Sequence, residues 1–80
     1  MANKTAEVIA ADFVAMGHSV AVITDVIAGD SMADDTAEDK QSAVDRNVEH
    51  LELMVAKDDW GSEDMTAVNS AITAGNSYTA

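Results

Sequence analysis

The chain has 80 residues, 48% of them hydrophobic, and carries fifteen Asp and Glu against four Lys and Arg, for a formal net charge of −11. That balance excludes direct binding to nucleic acid or to an anionic membrane, both of which need a basic footprint. The absence of Cys excludes a disulfide framework and a thiolate zinc site. So apolar a chain folds despite its charge, as one domain near the lower size limit for folding without staples. No apolar run is expected to approach the roughly 20 residues of a transmembrane helix. The start, MANKTAEV, lacks the layout of a signal peptide, so the expected location is cytoplasmic. Self-repulsion should make stability rise with salt.

The first segment is Thr5 to Met16, TAEVIAADFVAM. Asn3 or Thr5 suits its N-cap, Glu7 sits in its first turn, and Gly17 reads as a left-handed stop. Ala6, Ile9, Phe13 and Met16 form an inward stripe. Val8, Ala11, Val14 and Ala15 make the other side apolar too, with Asp12 the main exception. A helix apolar nearly all round is covered twice or buried in an oligomer. The second segment, Ser19 to Ala28, has Ser19 as a cap and ends at Gly29. Its β-branched residues favour a strand. No second β-rich segment exists to pair with it, so a short helix is expected.

The loop Asp30 to Asp35 leads into the most clearly patterned stretch, Asp34 to Lys57. At about 100° per residue, Ala37, Val44, Val48, Leu51 and Val55 share a stripe, with Met54 at its edge. Asp34, Asp35 and Thr36 are acceptable caps, and Glu38 and Asp39 suit the positive end of the helix dipole. Asp58 and Asp59 do not suit the other end, so fraying before Trp60 is expected. Gly61 breaks the chain, Ser62 caps a last helix with Glu63 and Asp64 in its first turn, and Met65, Val68 and Ile72 point inward. Gly75 ends that helix, and residues 76–80 form a tail. The expected fold is all-α, a small bundle of about four helices around one long helix from roughly Asp35 to Lys57, with residues 1–75 as the domain.

Chemistry is sparse. His18 falls in the expected turn and His50 projects from the long helix beside Glu49. Neither Glu-x-x-His nor a pair of His one turn apart occurs. Asp30, Asp34 and Asp35 lack the alternating ligands, central Gly and closing Glu of a calcium loop. Ser19 and Ser62 read as caps, and no nucleophile elbow exists. No catalytic residue, metal site or cofactor is expected, and the chain does not read as an enzyme. Leu53 lies opposite the main stripe among Glu49, Arg46 and Lys57, and Trp60 follows seven residues later on the same side if the helix persists. These two read as a contact surface, unless the chain bends and Trp60 folds back over the last helix.

DFVAMGHSVAVITDVIAGD, DRNVEHLELMVAKDDWGSEDMTAVNSAI and the closing GNSYTA together resemble a group of small acidic proteins encoded by phages of marine cyanobacteria, over most of the chain. The resemblance implies a protein acting in an infected bacterial cytoplasm or carried in the particle, and transfers no site residue. Met16-Gly17-His18 ahead of a helix is also similar, over three residues only, to a ubiquitin-associated three-helix module.

Three functions follow from these readings. The first is a helical homo-oligomer, expected as a homodimer, that binds a host or phage protein. Val8, Ala11, Val14 and Ala15 are its first interface candidates, and Leu53 and Trp60 the second. The others are an acidic nucleic-acid mimic and a ligand-binding or catalytic site at a subunit interface.

Overall fold

The computed structural model describes residues 5–57, 60, 61 and 63–80. Three helices form the described fold, and no strand occurs among the described residues: α1 Ala6–Ala28, α2 Ala37–Lys57 and α3 Thr66–Ser77. The all-α expectation holds. The expectation of about four helices around one long helix does not, because the first two predicted segments are one.

α1 runs unbroken through Gly17, so at 23 residues it, and not the 21-residue α2, is the longest helix. The reason lies in its buried side. Met16, Ser19, Ile23 and Val26 are its buried residues, spaced three, four and three apart, so one stripe crosses the glycine without a change of register. Gly17 keeps an ordinary φ, and the left-handed stop is Gly29, at φ 81. Continuing the helix costs about 1 kcal/mol for a mid-helix Gly, less than losing half of a packed stripe. Ser19 is consequently a buried helix residue, not a cap, and Met16-Gly17-His18 lies within a helix, not ahead of one. Thr5 is the N-cap, its Oγ1 accepting the Val8 N–H at 3.2 Å. Asn3 lies outside the described residues.

The turn after α1 closes with the Asp30 and Ser31 N–H groups donating to the Asp25 carbonyl, and Met32 takes a left-handed φ of 58. Thr36 caps α2, its Oγ1 accepting the Asp39 N–H at 3.1 Å. Val44, Val48 and Leu51 are buried as the stripe requires, with Ala43 beside them. Met54 and Val55 are half-buried, whereas Ala37 is exposed. Fraying at Asp58 and Asp59 and the cap at Ser62 fall outside the described residues.

α3 begins at Thr66, later than expected, so Glu63 and Asp64 precede it. Val68, Ala71 and Gly75 are its buried residues, with Ile72 half-buried. Gly75 does not end the helix. It lies inside α3 against α2, where an added Cβ would run into the Val48 side chain and come within 3.4 Å of Val44 and 3.6 Å of Ile23. The glycine is there to let two helices approach. The tail is held in place. Tyr78 packs on the core, Gln41 Nε2 donates to the Tyr78 carbonyl at 3.1 Å, and the Ala80 N–H donates to Gln41 Oε1 at 2.8 Å. These bonds join the end of α3 to the start of α2, so the two helices run antiparallel.

Candidate interaction surface

Helix α1 presents apolar residues to solvent as well as to the core. Val14 is 62% exposed and Val8 44%, and Val22 and Ile27 are each 38% exposed. Ala11 and Ala15 between them are exposed too. This surface exists because the helix is apolar nearly all round while α2 and α3 cover only one side of it. Four of the six expected interface residues therefore share one helix and are accessible. Leu53, on α2, is 64% exposed and separate from them.

Trp60 decides between the two readings left open for it and Leu53, against a joint contact surface. It is 6% exposed and part of the core, and its indole Nε1 donates to the Met54 carbonyl at 3.0 Å. Trp60 lies against the end of α2, where its indole N–H meets one of the last four carbonyls of the helix, which have no partner within it. A large amphipathic ring with a polar edge fits that corner better than an exposed face. Leu53 and Trp60 thus form no joint patch.

A second feature had no counterpart in the sequence reading. An open groove of about 420 Å³ runs between the C-terminal half of α1 and α3. Val20, Ile23, Thr24 and Ile27 line one wall, and Ala67, Ser70, Ala71 and Ala74 the other. The α3 wall is low because its residues, at i, i+3, i+4 and i+7, are all small. The available signal was charge: residues 65–80 contain no Asp, Glu, Lys or Arg, and neither do Phe13 to Thr24. The groove lies between these two uncharged stretches.

The charges gather on α2, the loops and the two ends of α1. Glu38, Asp45, Glu49 and Glu52 are all exposed on one side of α2. Asp64 stands just before α3. The Thr66 hydroxyl and backbone N–H both bond its carboxylate, and lower its pKa from the ordinary value. His18 is exposed on α1, not in a turn, and His50 is exposed on α2. No group of three His, Cys, Asp or Glu that could hold a metal ion occurs among the described residues.

By length and composition alone the unbroken α1 is apolar enough to cross a bilayer. Its charge-free core, Phe13 to Thr24 between Asp12 and Asp25, is only about 18 Å long at 1.5 Å per residue. A hydrocarbon layer is roughly 30 Å thick. Comparison with protein family models, with curated proteins and with solved structures gave no match.

Proposed function

We propose that the protein is a small acidic helical interaction protein that acts as a homodimer, with the outer side of α1 in its interface. The observation that carries this reading is the exposure of Val14, 62%, within the charge-free stretch of α1. Burying such a face removes apolar area from water at about 25 cal/mol per Å². It does so without bringing the two acidic sides of α2 together, which a contact through α2 would require. The resemblance to phage proteins supplies the setting, an infected bacterial cytoplasm, and a host or phage protein as a further partner. Sedimentation velocity at rising concentration tests the assembly. The wild-type chain should sediment as a dimer at high micromolar concentration, and Val14→Glu as a less stable monomer. A variant that stays dimeric with unchanged stability would place the interface elsewhere.

A second reading, an acidic mimic of nucleic acid, is favoured by one observation. Glu38, Asp45, Glu49 and Glu52 stand exposed along one side of α2, roughly 4–11 Å apart along the axis. It requires salt-sensitive capture of basic, nucleic-acid-binding proteins from a bacterial lysate. A capture that returns none disposes of it.

A further inference from the structure

The outer side of α1 has two flanks, and they are not equivalent. At 100° per residue, Ala10, Val14, Gly17, Ala21 and Thr24 follow one another on the flank beside α3, and Thr24 also lines the α1–α3 groove. Val8, Ala11, Ala15 and Val22 lie on the opposite flank. Gly17 sits midway along α1, is exposed, and has no atom within 4 Å of where a Cβ would stand. A glycine inside a helix weakens it, and nothing within the chain uses the space this one leaves.

Resting on the dimer reading above, we infer that a second copy of this chain occupies the α3-side flank, its α1 crossing the first antiparallel at Gly17. The missing Cβ atoms then meet at the crossing point and let the two backbones approach closely. Val14 of each copy packs against Ala21 of the other. The first turns of each α1, with Ala6 and Ala10, close the mouth of the other's groove between α1 and α3. A single helix face about 34 Å long and 10 Å wide falls short of the roughly 800 Å² per partner of a standard interface. The groove wall on α3 is needed to complete it.

Charge decides the direction. Glu7 and Asp25 project beyond Val14, on the side of the strip away from α3. A parallel twofold pair would turn each acidic edge against the other copy's apolar groove, burying carboxylates without partners. The antiparallel pair keeps groove against apolar helix and brings Glu7 near Asp25 of the second copy only at an exposed rim. Salt screens that repulsion, so the dimer tightens as salt rises.

The chain has no Cys, which permits a direct test of direction. Ala10→Cys and Thr24→Cys are prepared separately, mixed, and oxidised mildly. In the mixture the antiparallel dimer joins the thiol introduced in place of Ala10 to the one introduced in place of Thr24, and neither variant cross-links alone. Like residues lie about 21 Å apart along the helix, beyond the roughly 7 Å that a disulfide allows between Cα atoms. Cross-linking of each variant alone, with none added by mixing, would mean a parallel pair. A sedimenting dimer with no cross-link in any sample would place the contact on another face. Both results overturn this inference and leave the dimer reading standing. A monomer at high micromolar concentration overturns both and leaves the groove to some other occupant. Gly17→Leu supplies the independent check: helix content by circular dichroism should persist while dimer affinity falls at least tenfold. Unchanged affinity would remove Gly17 from the crossing.

Discussion

α1 and α2 are nearly the same length, lie side by side and bury four residues each, yet only one of them could be read correctly from sequence. α2 sets Val44, Val48 and Leu51 against a solvent side of Glu, Asp, Arg and Lys, so the contrast between its faces fixes both its extent and its inward stripe. α1 has little such contrast. Its outer side is Val and Ala, its inner side is Val, Ile and Met, and a glycine in the middle then reads as a boundary. The difference teaches that a periodic signal measures the contrast between faces and not the strength of packing. Where a helix is apolar outside as well as inside, that contrast is missing and its ends cannot be placed from the pattern.

The largest expected effect sharpens the contrast within α2. Leu51→Asp should leave the chain unfolded, because a fully buried site would hold an unpaired charge at a cost of several kcal/mol. Leu53→Asp, two residues on, should shift stability by no more than about 0.5 kcal/mol. Thermal melts of the two variants that coincide would refute the assignment of faces.

The two helix glycines give the next comparison. Gly75→Ala pushes a methyl group into Val48 and should destabilise by about 1–3 kcal/mol through overpacking. Gly17→Ala meets no atom within the chain and should stabilise the monomer, at low concentration, by about 0.5–1 kcal/mol. Urea midpoints measured at low protein concentration should move in opposite directions. Movement in the same direction would break the distinction between a packed and an open glycine.

A smaller effect belongs to the tail. Gln41→Ala removes both long-range bonds to residues 78–80 and should cost about 1–2 kcal/mol. Hydrogen exchange at Ala80 should quicken while amides in the middle of α2 stay protected. The smallest effect is electrostatic. Because hydrogen bonds from Thr66 lower the Asp64 pKa in the folded chain, their contribution is fully present above the unfolded pKa. It fades as pH falls through the lowered folded value. Thr66→Val should therefore reduce stability slightly at neutral pH and not at all at the acid end, in melts recorded across that range.

Legibility followed the same logic in the rest of the molecule. Thr5 and Thr36 were readable as caps because capping is local chemistry. Gly75 was not readable as a packing residue, since its neighbours Val48, Val44 and Ile23 are remote in sequence and a glycine late in a helix looks like a stop. The Gln41 bonds to the tail span 37 and 39 residues, and neither partner advertises the other. Of the six interface candidates, the four on α1 are accessible and Leu53 is exposed alone. For Trp60 the sequence left two placements open, and only the structure, where it is 6% exposed and bonded to the Met54 carbonyl, decides for the core. The groove could not be foreseen, because it arises from small side chains on α3 lying beside a helix that the sequence had divided.

The indole bond to the Met54 carbonyl makes the only tryptophan of the chain a built-in gauge of one corner. Its emission depends on whether the segment after α2 is docked, while circular dichroism follows all three helices together. If that corner opens before the bundle melts, fluorescence will change at a lower temperature than helix content. The unmodified protein thus carries its own test of whether eighty residues unfold as one unit or release an end first.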